Sequence, residues 1–145
     1  MIIVYGQDAL VGEWASKTLG REIVPPFVTM GFSRDGQNLH GAAVFNDWNG
    51  SNLEITIIGP GCLTRGNIRA VYSYVFGQIR ANRLTAKTAR NNKRMLRLLP
   101  RLGFTWESVA KRYFGPEKRN DAIVFALFRE NAEKWYEHAI RAAAA

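Results

Sequence analysis

The sequence predicts an α/β fold: a mixed, mostly antiparallel central sheet of roughly six or seven strands, with one parallel pair and helices on both faces. Three observations predict it. Residues 53–58 form a β-branched apolar run that Gly59, Pro60 and Gly61 break, and a helical pattern starts near Thr64. Short apolar runs at 27–33 and 39–45 precede it, separated by turn-formers, so these three strands make an antiparallel meander. Residues 84–89 read as a strand after that helix, and a strand reached through a helical crossover runs parallel to the one before it.

In chain order, 2–5 is a short apolar strand, and Gly6-Gln7-Asp8 offers a turn with Asp8 as N-cap. Leu10, Val11, Trp14 and Leu19 follow at helical spacing, and Gly20 closes that helix. Pro25-Pro26 forbids continuing helix and begins the 27–33 strand, which ends at Arg34-Asp35-Gly36. A second turn, Asn46-Asp47-Trp48-Asn49-Gly50, separates 39–45 from 53–58. In the central helix Ile68, Val71, Tyr72, Val75, Phe76 and Ile79 recur at three and four, which gives it one buried face. Asn82 breaks the pattern before 84–89. Asn91 and Asn92 can cap a basic helix whose inner face is Met95, Leu98, Leu99 and Leu102, ending at Gly103. Pro100 inside it predicts a kink or a loosened last turn. Strands over 104–114 and 122–128 are joined by a polar loop, and 129–143 is a terminal helix.

At 145 residues the chain is expected to be one domain, 1–145, large enough to bury a core without staples. No apolar run approaches the roughly 18 to 20 residues of a membrane span, and the first residues lack the basic start of a signal peptide, so a cytoplasmic protein is expected. A single cysteine, Cys62, excludes an internal disulfide and a cysteine-based zinc site. His40 and His138 are the imidazoles, far apart in sequence, so no metal is expected. Cys62 has no paired histidine in view and reads as a loop thiol.

The net charge of +8 is concentrated: twelve of the twenty basic residues fall within 80–119, opposed there by Glu107 and Glu117. Such a face attracts polyanions, either a nucleic acid or a cofactor carrying several phosphates.

The loop that enters the central helix, Thr64-Arg65-Gly66-Asn67, can hold a phosphate, because a helix start exposes free N–H groups at the positive end of its dipole. Gly66 lets the backbone approach an anion closely. Neither the Gly-Lys-Ser/Thr phosphate loop nor the spaced Gly-x-Gly-x-x-Gly is present.

The element order, the Thr64–Asn67 loop, Asn92 followed by a short helix and Gly103-Phe104, and the closing Trp106-Glu107, Arg112-Tyr113 and Asp121-Ala122-Ile123-Val124-Phe125 segments resemble the Gcn5-related N-acetyltransferase (GNAT) family. The motifs are most similar to its RimL/RimJ branch and to small phage-encoded acetyltransferases. The resemblance covers 27–135. It implies that the parallel strands 53–58 and 84–89 splay apart into a cleft for the pantetheine arm of acetyl-CoA. It implies pyrophosphate on the amides of Arg65, Gly66, Asn67, Ile68, Arg69 and Ala70, and pantetheine hydrogen-bonded to the backbone of Ile57 and Ile58. Asn92 either faces the cofactor or simply caps its helix.

The implied chemistry is direct transfer of acetyl from the thioester to a primary amine. An amine is mostly protonated at neutral pH, so a base must take a proton. Glu54 is the expected base, with a plain strand carboxylate as the alternative and Asp47 as a weaker substitute. Ile68 stands where the family has glycine or alanine, which is expected to narrow the phosphate loop. Leu99 stands where many members have an acidic tyrosine, and Tyr113 is the residue that could replace it. Expected acceptors are an amine-bearing small molecule or a protein N-terminus or lysine. A homodimer is frequent in the family, and no membrane partner is expected. The rival reading is a catalytically silent module of this fold that binds nucleic acid or a protein through the basic face.

Overall fold

The computed structural model describes residues 1–144, with side chains through Tyr136. Strands β1 (Ile2–Val4), β2 (Val28–Ser33), β3 (Gly41–Asn46), β4 (Asn52–Ile58), β5 (Arg83–Ala89), β6 (Thr105–Ala110) and β7 (Ala122–Phe128) form one sheet in the order β1-β2-β3-β4-β5-β7-β6. Every pairing is antiparallel except β4 with β5, which is parallel. The helices are α1 (Asp8–Leu19), α2 (Arg65–Tyr72), α3 (Lys93–Arg101) and α4 (Arg129–Ala144). This is the predicted mixed sheet.

Helix α1 packs on one face, where Val11 and Ala15 meet Ala42, Val44 and Ile58. The other helices share the opposite face, with Ile68, Val71, Val75, Leu99, Ala132 and Tyr136 against Phe45, Ile55, Leu84 and Leu127. Strand alternation divides β4 accordingly: Leu53 and Ile55 go to the larger core, and Ile58 goes under α1. No helix among the described residues is long and apolar enough to cross a membrane.

Three local expectations are corrected. Asp8 is not the N-cap of α1; Gln7 is, without a side-chain cap bond. The Asp8 carboxylate instead accepts from the Thr29 N–H and hydroxyl, both at 2.9 Å, tying α1 to buried β2. The central helix changes register, α2 giving way to a π-helical segment, Ser73–Gln78. There Ile79 N–H reaches Tyr74 O and Ala81 N–H reaches Val75 O, while Arg129 donates to the carbonyls of Phe76 and Ala81. Wider turns free carbonyls, and the guanidinium takes them up. Strand β6 ends at Ala110, short of 114, because Arg112 turns to φ 55° and its N–H bonds to the Asp121 carboxylate. Helix α3 runs through Pro100 to Arg101, and its end is loosened as expected: Leu102 N–H is shared between the carbonyls of Leu98 and Leu99, and Gly103 N–H bonds three residues back to Pro100 O.

Candidate active site

The parallel pair separates along its length. Asn52, Leu53, Glu54 and Ile55 face Arg83, Leu84, Thr85 and Ala86, and the pairing stops there. Beyond it, Thr56, Ile57 and Ile58 stay bonded outward to Val44, Ala43 and Ala42 of β3, while Lys87, Thr88 and Ala89 stay bonded to Val124, Ile123 and Ala122 of β7. Two glycines hold the end of β4 toward β3. A Cβ on Gly59, at φ 66°, would strike the His40 carbonyl, and one on Gly41 would lie 2.8 Å from Ile58 O. On the other side Arg90 N–H donates to Asp121 O, and its guanidinium pairs with the same residue's carboxylate, which anchors the end of β5 on the hairpin partner.

The gap is a cleft of about 290 Å³. Its walls are Ile55–Ile57 and Ala86–Ala89, with Met95 and Leu99 of α3 at one side and Leu19, Arg21 and Phe114 at the other. Arg21 stacks its guanidinium 4.9 Å over the Phe114 ring, joining the segment after α1 to the β6–β7 connection across this second side. The inner edge of β4 beyond Ile55 has no strand partner, so its alternate amides and carbonyls can serve an amide-bearing chain.

At the start of α2, Thr64 is the N-cap: its hydroxyl accepts from Asn67 N–H and its carbonyl from Ile68 N–H. Arg69 and Ala70 lie within the helical ladder. Among the predicted amides, Arg65 and Gly66 are therefore the two left free for an anion. Asn67 is buried, and its side-chain amide donates to Cys62 O at 2.7 Å, bracing the loop. Ile68 does not narrow the loop, because its side chain is buried in the larger core on the inward face of α2. Arg34 and Arg94 converge on Gly61, their guanidinium nitrogens 3.7 and 3.4 Å from where a Cβ there would stand. Arg94, Arg97 and Arg101 further line a groove with Pro60 and Leu98. Asn92 caps α3, accepting from Met95 N–H at 3.3 Å.

Glu54 and Tyr113 are brought together by a residue the sequence reading passed over. Lys87 Nζ lies 2.7 Å from Glu54 Oε1, donates to the Tyr113 hydroxyl at 3.4 Å, and stands 4.8 Å above the Tyr113 ring. Glu54 and Lys87 are both half-buried, whereas Tyr113 is about half exposed, edge-on to Phe114 in the turn after β6. Burial pulls the Lys87 ammonium downward, but the hydrogen bond and charge of Glu54, helped by Tyr113, outweigh it and hold its pKa above the ordinary lysine value. The register carried a signal for Lys87. With Glu54 opposite Thr85, alternation puts residue 87 on the same face as Glu54.

The remaining candidates lie apart. Asp47 lines a separate cavity of about 480 Å³ with Phe27, Trp48 and Tyr74, toward the other end of β4. His40 Nδ1 accepts from Arg34 N–H in its turn, Cys62 is buried in the core, and the His138 side chain lies outside the described residues.

Comparisons with known proteins come from structure alone. No family model matches the chain, and no curated protein matches it. A variant of the spermidine N-acetyltransferase SpeG from Vibrio cholerae superposes with TM-score 0.62 at 17% identity, over 93% of this chain and 81% of that one. A chimera of that protein with hSSAT gives 0.62 at 16% identity, over 87% and 80%. A protein from T. thermophilus, whose own assignment as an acetyltransferase is provisional, gives 0.64 at 20% identity, over 86% and 69%. At such identities the likeness establishes the fold: the chain has the GNAT fold, with its parallel splayed pair.

Proposed function

We propose that the protein is an acetyl-CoA-dependent N-acetyltransferase acting on a primary amine. One observation carries the reading: β4 and β5 part after Ile55 and Ala86 and leave a lined cleft beside an unpaired strand edge. The residues present fit the cofactor. The edge at Ile57 and Ile58 suits the amides of a pantetheine arm, the free Arg65 and Gly66 amides suit a pyrophosphate, and the guanidinium groups of Arg34 and Arg94 suit the remaining phosphate charge. Arg69, its Nε donating to Trp135 O, lines one groove with Arg65 and adds to the positive charge of α2.

Bound acetyl-CoA supplies a thioester open to attack by an amine. Glu54 accepts the proton that the acceptor ammonium must lose, directly or through water, once Lys87 yields its place. A backbone N–H of the free β4 edge near Ile57 donates to the carbonyl oxygen as charge builds on it. Tyr113 stands on the same side as Glu54 and can return a proton to the departing sulfur, a service Leu99 cannot render. Polyamines, which SpeG's name attaches to that protein, belong in the acceptor panel beside peptides with free N-termini. The single-domain organisation, a cytoplasmic location and a homodimer complete the proposal.

The test is thiol release from acetyl-CoA against that panel. Turnover with at least one amine supports the reading, and none with any amine by a protein that binds acetyl-CoA overturns it. The basic face favours a second reading, nucleic-acid binding, through the row Arg94, Arg97 and Arg101. It is weakened because Arg83, Lys87, Arg90 and Arg119 are already paired with carboxylates. Binding that falls steeply with salt and ignores acetyl-CoA would favour it.

A further inference from the structure

We propose that Lys87 is a self-acetylation site, the internal acceptor of this cleft. The inference rests on the acetyltransferase reading and extends it by naming the first amine the site would modify.

Placement comes first. Lys87 is the β5 residue immediately past the last bonded pair, Ile55 with Ala86, so it is rooted where the strands begin to part, and its side chain lines the gap. Among the residues lining that gap it carries the one amine; Arg21, the other cation there, has a guanidinium that does not lose its proton in a protein. The surroundings of the nitrogen come second. Its 2.7 Å contact is with Glu54, the carboxylate available to take a proton, while the hydroxyl and ring face of Tyr113 hold its other side. A carboxylate, a phenol and an aromatic face are the groups that would receive any alkylammonium acceptor. Lys87 already occupies them.

The step balances with acetyl-CoA as co-reactant. Glu54 takes one proton from the ammonium, and the freed lone pair forms a bond to the acetyl carbon. The carbon–sulfur bond breaks with its electrons on sulfur, and the second nitrogen proton passes to that thiolate. The products are Nε-acetyl-lysine, CoA thiol and one proton, released from Glu54 to water. The acetyl-lysine has no charge, so the ion pair dissolves and Glu54 becomes free for an external amine. Self-acetylation would thus prime the site.

Chemical acetylation in solution has the opposite selectivity. It favours exposed, readily deprotonated amines, and the Lys87 side chain is 26% exposed against 77% for Lys17. The full-length chain should be incubated with acetyl-CoA and no acceptor, then digested and mapped by mass spectrometry. We expect one acetyl group at Lys87, a single equivalent of thiol per chain, and a rate independent of protein concentration. Lys87→Arg should lose the modification, and Glu54→Gln should slow it about 100-fold, as removal of a general base does. Acetyl-CoA that raises the melting temperature but leaves Lys87 unmodified, or label that favours exposed lysines such as Lys17 over Lys87, overturns this inference alone. Absence of any acetyl-CoA binding overturns the acetyltransferase reading and this inference with it.

Discussion

Ile55 faces Ala86 as the last bonded pair of the two parallel strands, and one residue later Thr56 and Lys87 are each bonded only to an outer neighbour. Everything proposed for the site follows from that parting. It is held open by backbone contacts at Gly41 and Gly59 and by the bond from Arg90 N–H to Asp121 O, so it belongs to the fold and does not depend on a side-chain rotamer.

Gly59 is the first position to test. Its positive φ and the His40 carbonyl beneath it leave no room for a methyl group. Gly59→Ala is expected to cost about 2 to 4 kcal/mol in urea unfolding, strain and clash together. An unchanged midpoint would mean that this loop does not hold β4 against β3.

Gly66 gives the contrasting case. A Cβ there meets nothing closer than the Thr64 hydroxyl at 3.9 Å, so Gly66→Val should fold normally. Its branched side chain would nevertheless crowd an anion at the free amides, and weaker acetyl-CoA binding with an unaltered melting temperature is the expected outcome. Full affinity in the variant would move the pyrophosphate elsewhere.

How much of this was legible beforehand varies by residue. The succession of strands and helices along the chain, the three-strand meander and the parallel pair could be read from apolar runs and turn-formers, since alternation and Gly/Pro punctuation are local properties. The end of α1 at Gly20 is likewise local. What escaped the sequence depends on partners distant in the chain: Asp8 turned from capping to Thr29, the π-helical segment supported by Arg129, and β6 cut short by Asp121. The site divides the same way. The Thr64 loop and the position of Glu54 were visible, whereas the Lys87 contact needed the register of two strands separated by a helix. At Ile68 the helical periodicity, which places it on the buried face of the central helix, holds, and the narrowing implied by the resemblance does not: in the folded α2 its side chain is in the core.

Tyr72 tests the packing behind the cleft. Its buried hydroxyl donates to Leu102 O at 2.9 Å, linking α2 to the end of α3. Tyr72→Phe should lose about 1 kcal/mol, a neutral hydrogen bond's worth, in chemical denaturation. A neutral or stabilising change would show that this carbonyl finds water.

Stability should fall on the acid side for two identifiable carboxylates. Hydrogen bonding and the charge of Arg83 hold Glu107 below its ordinary 4.5, and the amides of Asn38 and Gln37 with the Asn38 side chain hold Asp35 well below 3.8. A pKa lower in the folded state contributes stability that is present above the ordinary value and lost as pH drops through the lowered one. Lys87, raised by Glu54, behaves oppositely: its contribution is full below 10.5 and is lost as pH climbs through its folded value. Melting temperature against pH should therefore show a shallower acid limb in Glu107→Gln and in Asp35→Asn, and a shallower alkaline limb in Lys87→Met. Limbs superimposable on the parent's would remove these groups from the account.

Glu54→Gln tests the base by steady-state kinetics. A loss of about 100-fold in kcat with KM little changed is expected of a general base. Full turnover would return Glu54 to the role of Lys87's partner alone.

The most direct measurement is calorimetric titration of acetyl-CoA into the parent chain and into Ala89→Phe, whose added ring would fill the gap between the strands. Saturable binding to the parent, with a matching rise in melting temperature, is expected, and its loss in a variant that still folds. No binding to the parent, or equal binding to both, would contradict the claim that this cleft receives the cofactor.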